Sequence, residues 1–179
     1  MVKLLIGAVV AAVIIVVSFS FIMPLTQQNT AGTTTTDTTN TTSFNVTIEG
    51  EVVKTGTYAL QEGVTMADLI SAAGGVNTNA DERTYYDAFV LTSGMTYYVG
   101  PLHDAADVCS SKEITKVNVN SDDATALATV SAITSNIADS IVSYRSSNGE
   151  FKSLEQLLDV YGIGNATYRK IRNYVYLHE

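Results

Sequence analysis

Leu157-Leu158-Asp159-Val160-Tyr161-Gly162-Ile163-Gly164-Asn165-Ala166-Thr167-Tyr168-Arg169-Lys170-Ile171 decides the reading of this chain, because its pattern occurs twice, thirty residues apart. Leu127, Val130, Ile133, Ile141 and Tyr144 fall on Leu157, Val160, Ile163, Ile171 and Tyr174. Apolar positions spaced this way describe a helix, a tight turn and a second helix sharing one buried face. The later copy reads Gly162-Ile163-Gly164 at its turn and the earlier one Ala132-Ile133-Thr134. Gly162 admits a backbone conformation that a Cβ would penalise. Ile163 plugs the gap between the helices. Gly164 leaves space for an anion to reach the free N–H groups that open the next helix. Phosphate is the anion that suits such a turn.

The residues expected to carry this binding are Gly162, Ile163, Gly164, Asn165, Thr167, Arg169 and Lys170, with Ile133, Thr134 and Lys152 contributing more weakly. The first copy lacks both glycines, so it is expected to be largely structural. None of these groups reads base edges, and contact with phosphates alone is indifferent to sequence. Net charge is −8, which opposes a polyanion at long range. Residues 117–179 nevertheless hold five basic against seven acidic groups, and residues 162–179 hold Arg169, Lys170 and Arg172 against Glu179 alone. Screening over about 8 Å lets such a patch act locally.

The flanking helices follow from caps and spacing. Ser121 is the expected N-cap of a helix over 122–129, and a second helix should run from about Ser135 to Ser147, ending at Gly149. Ser153-Leu154-Glu155-Gln156 is a capping box for a short helix reaching Asp159. The last helix should span Asn165 to about Leu177 and bury Tyr168, Ile171, Tyr174 and Val175.

At the other end, Leu4 to Met23 form twenty almost wholly apolar positions closed by Pro24. Twenty residues at about 1.5 Å each match a hydrocarbon core of about 30 Å. Lys3 precedes the run and the next cation is Lys54, which places the N-terminus in the cytoplasm and the rest outside the cell. Residues 1–23 are thus read as a single-pass anchor, with a cleaved signal peptide as the rival. Residues 24–43, holding ten threonines, are read as a disordered linker.

Residues 44–100 read as a small mixed module. Phe44, Val46 and Ile48 alternate with polar neighbours as in a half-buried strand, and Lys54-Thr55-Gly56 turns the chain towards Tyr58-Ala59-Leu60. Thr65 and Asp68 form a capping box for a helix that Gly74-Gly75 stops. Phe89-Val90-Leu91 and Tyr97-Tyr98-Val99 are expected to form a second hairpin about Thr92-Ser93-Gly94. Tyr85, Tyr86, Tyr97 and Tyr98 either pack the sheet or present a binding face. Residues 101–116 read as a polar connector. His103, Asp104, Asp107 and Cys109 fit no metal-ligand spacing. No metal, cofactor or catalytic set is expected, and Asp122-Asp123 read as first-turn helix charges.

The run Gly50-Glu51-Val52, Gly56-Thr57-Tyr58, Asp68 to Gly75 and Gly94 resembles the SLBB family of β-grasp domains, which implies ligand binding or self-association. From Val117-Asn118-Val119-Asn120 through Asn148-Gly149-Glu150-Phe151-Lys152-Ser153 to Gly162-Ile163-Gly164, residues 117–179 resemble the tandem helix-hairpin-helix domain of the ComEA family. Those are membrane-anchored DNA receptors of natural competence. The resemblance implies an α+β chain with an N-terminal membrane helix, a β-grasp module and an all-α hairpin module. It further implies binding of double-stranded DNA, self-association through the SLBB-like module and hand-over to DNA-uptake channel proteins. Two other readings stay open: an adaptor whose hairpins dock a protein, and a sugar or cell-wall ligand binder acting through the SLBB-like module.

Overall fold

In the computed structural model, residues 43–104 and 113–179 are described. The expected anchor, nearly all of the linker, Asp107 and Cys109 lie outside them. Among the described residues no helix is long and apolar enough to cross a membrane.

Strand β1 (Ser43–Gly50) pairs antiparallel with β2 (Gly56–Gln61), as the alternation of Phe44, Val46 and Ile48 predicts. Helix α1 (Met66–Ala72) follows, capped by Thr65, whose N–H and hydroxyl both donate to Asp68 Oδ2 at 2.8 and 2.9 Å. Gly74 ends it at φ 86°, a conformation that favours glycine. Met66, Leu69 and Ala73 pack beneath the sheet with Val46, Ile48 and Val52.

The second hairpin does not form. Strand β3 (Thr96–Val99) instead runs parallel to β1, giving the order β2-β1-β3. The Gly94 N–H donates to the Asn45 carbonyl at 2.8 Å and steers the chain along the open edge of β1. Val90 forms only a single bridge with Thr65. Successive side chains of β3 point to opposite faces, so Tyr97 and Val99 enter the sheet core while Tyr98 enters the core of the hairpin helices. Tyr97 and Tyr98 are buried, and Tyr86 stacks on His178 with ring centroids 4.3 Å apart. Packing, rather than a presented face, is therefore what these three tyrosines do.

The helical half contains α2 (Ala124–Leu127), α3 (Ser135–Asn148), a 3-10 helix (Leu154–Asp159) and α4 (Asn165–Ile171). Asp123, not Ser121, caps α2, accepting the Ala126 N–H at 2.8 Å. Asp122 is occupied instead by the Asn118 N–H at 2.8 Å, which fixes the approach to the helix. The final helix is shorter than expected, because Val117 and Val119 need carbonyl partners. They find them in Tyr174 and Tyr176, at 3.0 Å each. Strands β4 (Val117–Asn118) and β5 (Val175–Tyr176) thus pair in parallel, and this half is not all-α. Val175 is buried in that pairing, whereas Tyr174 is left exposed.

All described residues belong to one compact unit. Glu155 Oε1 accepts the Tyr98 N–H and the Tyr168 hydroxyl, both at 2.9 Å, joining β3 to α4. The Arg172 guanidinium lies 3.8 Å from the Tyr98 ring centroid and donates to Glu49 at 2.9 Å. Leu177 N–H reaches the Arg83 carbonyl at 2.8 Å. Lys116, in the stretch read as polar connector, is buried against Asp81 at 2.6 Å, and Arg83 meets the same carboxylate at 2.8 Å. Burial works against the Asp81 charge, but hydrogen bonds from Arg83 and Lys116 hold its pKa below the usual value.

Candidate nucleic-acid interface

The two hairpin turns have the same skeleton. Leu127, Val130, Ile133 and Ile141 are buried in the first copy, as are Leu157, Val160, Ile163 and Ile171 in the second, and all join one core. The turns close alike: Ile133 N–H donates to the Val130 carbonyl at 2.8 Å, and Ile163 N–H to that of Val160 at 3.0 Å. Each isoleucine amide is therefore used internally. The donors left for a ligand are those opening the following helix.

Here the copies part. In the first, Thr134 caps α3 and its hydroxyl accepts the Ile137 N–H at 3.4 Å. In the second, Gly164 caps α4 with no side-chain bond, and a Cβ built on it meets nothing within 4 Å. Gly164, Asn165 and Ala166 are exposed and Thr167 is half-buried one position further in. Gly162 has φ 91°, and a Cβ there would stand 3.3 Å from Ile137 Cγ1. It is needed both for its backbone angle and for its closeness to the other copy. Ala132 has no positive φ, so the first turn reaches the same closure by a different local path.

Cations are distributed unevenly. Arg169 and Lys170 are exposed on α4; Arg169 Nε donates weakly to the Asn165 carbonyl at 3.3 Å, and neither has an acidic partner among the described residues. Arg145 is committed to the carbonyls of Val119 and Asp122 at 2.7 and 2.6 Å, and Arg172 to Glu49. Lys152 pairs with Glu150 at 2.7 Å and lies 5.3 Å from the Tyr86 ring centroid, drawn to the module boundary. Among the described residues of this half, Arg169 and Lys170 are the exposed cations left without a carboxylate partner.

Three features were missed in the sequence. Lys170 shares a groove with Thr129, Ser131 and Ala132, so it stands beside the first turn as well as on the helix that the second turn opens. Asp139, the counterpart of Arg169 at the repeat offset, lines the groove beside the second turn with Asp159 and Tyr161. Simple comparison of the two copies would have found that reversal of charge. Tyr161 itself is 90% exposed, and nothing in the residue pattern signalled it.

Glu155 is buried beneath α4 and accepts the Tyr168 hydroxyl. Burial pushes its carboxyl up to about 6, against the opposing pull of its hydrogen-bond donors. The Tyr168 hydroxyl is raised in turn by burial and by the neighbouring carboxylate.

Comparison with known proteins agrees with this architecture. Residues 112–176 match the family model described as a helix-hairpin-helix motif, and residues 45–86 match that of the SLBB domain. The chain is 27% identical over 135 residues to ComE operon protein 1 of Bacillus subtilis (strain 168). That match covers 70% of this chain and 66% of the relative, just under two thirds of its length.

Proposed function

We propose that this chain, ComEA-like in carrying an SLBB domain ahead of a helix-hairpin-helix motif, is a receptor that binds double-stranded DNA through its backbone phosphates. The observation that carries the reading is the helix start at exposed Gly164, an N-cap with no side chain over the first amides, followed by two cations without acidic partners among the described residues. A phosphate oxygen would take the open amides at the start of α4, with Arg169 and Lys170 supplying charge. Lys170 extends the same surface towards the hydroxyls of Thr129 and Ser131 at the first turn. These groups bind and position a strand without chemistry on it, so the protein is a binder rather than an enzyme.

The apolar run over 1–23 would hold this receptor at the cell membrane with the described unit outside, serving DNA uptake in competence. Self-association through the SLBB-like module and delivery to channel proteins belong to the same proposal. Clustered copies would raise apparent affinity on long DNA through effective concentration. The test is equilibrium binding of the full chain to two duplexes of unrelated sequence. Both should bind equally, and Gly164→Thr should weaken both about tenfold without loss of fold, since a Cβ there meets nothing. Strong preference for one sequence, or indifference to Gly164→Thr, would remove the phosphate reading.

A further inference from the structure

The groove beside the second turn does not suit phosphate. Asp139 and Asp159 line it with Ser140 and Tyr144, and the Tyr161 ring stands at its rim, 90% exposed. The equivalent groove at the first turn contains Lys170, the partly exposed Tyr174 and no carboxylate, and Ser131 occupies the position of Tyr161. Carboxylates repel a phosphate but accept hydrogen bonds from the amino groups of cytosine and adenine. An open aromatic face stacks on any base. Tyr161 directly precedes Gly162, so a base entering the groove would belong to a nucleotide next to one held by the turn.

We infer that this groove receives an unpaired nucleobase, stacked on Tyr161 and hydrogen-bonded through an amino edge by Asp139 or Asp159. The inference rests on the proposed phosphate site, which anchors the strand while the base turns in. It gives the receptor a second mode, for single-stranded tails or frayed ends, built on carboxylate acceptors and a Tyr161 face that the groove of the first hairpin lacks. Asp139 and Asp159 are exposed, and the cations Arg169 and Lys170 lie on the neighbouring helix rather than among the residues lining the groove.

The chain contains no tryptophan, so Tyr161→Trp places a lone tryptophan at the groove, excited selectively over the tyrosines. With this full-length variant, a duplex carrying a short dC or dA tail should quench the emission about twofold, and a blunt duplex should leave it nearly unchanged. Tyr161→Ser, matching the first copy, should weaken binding of the tailed duplex about tenfold while leaving blunt duplex within about twofold. A dT tail, lacking an amino group, should bind less tightly than dC or dA. Equal weakening on blunt and tailed DNA, no weakening on either, or a preference for dT would each overturn the inference. Failure of the parent chain to bind blunt duplex would instead strike the phosphate site, so the two outcomes are separable.

Discussion

At the first turn a threonine hydroxyl fills the space over the helix start and accepts the Ile137 N–H; at the second, Gly164 leaves the same space empty. Both turns nonetheless close through the same backbone hydrogen bond and bury the same isoleucine. Apolar spacing therefore sets the shape of a hairpin, and the cap residue sets whether its donors are available. One copy can serve as scaffold and the other as site with no change of fold. The charges follow a less tidy division, since Lys170 of the later copy lies by the earlier turn and Asp139 of the earlier copy by the later turn.

If the two copies are structural equals, Ile133→Ala and Ile163→Ala should each cost about 2–5 kcal/mol in urea unfolding. A large cost at one position only would break the equivalence. Glu155 tests a feature that the copies do not share, because its counterpart at the repeat offset is Thr125. Its folded pKa of about 6 exceeds its ordinary value of 4.5, so the folded state holds the proton more tightly. The resulting stability is complete below pH 4.5 and is lost as pH rises through 6, a change of about 2 kcal/mol. Glu155→Gln should flatten the unfolding free energy over that window; an unchanged pH profile would place the titration elsewhere.

Gly162→Ala should cost about 1–2 kcal/mol because of its positive φ, and closeness to Ile137 adds to this. Ala132→Gly should cost less than half as much, because no side chain there is forced from a left-handed conformation. The smallest effect is the most specific. Thr134→Gly should lower stability by only about a few tenths of a kcal/mol and should raise duplex affinity by opening the first turn. Weaker binding instead would mean that the Thr134 hydroxyl itself contacts the ligand.

Much of this was legible in the residues. The repeat, both capping boxes and the glycine stop after α1 rest on local spacing, and local spacing is visible in a sequence. The partner of β3 was not, because a strand of four residues carries no record of which distant edge it joins. The β4–β5 pair is shorter still, two residues each, so the end of the chain read as helix. The Asp81–Lys116 pair spans thirty-five residues across a stretch whose polarity suggested solvent. At the candidate site, the glycine turn and the exposed Arg169 and Lys170 were readable, whereas the exposure of Tyr161 and the crossing of Lys170 to the first turn depend on how the copies pack.

The salt dependence of duplex binding, in the parent chain and in an Arg169→Ala/Lys170→Ala double variant, is the decisive measurement of phosphate contact at α4. The parent should show log K falling against log salt with a slope of about −3, and the variant should bind more weakly with a slope nearer about −1. An identical slope in both proteins would contradict a phosphate site at α4, since phosphate would then be met somewhere other than the turn at Gly162-Ile163-Gly164.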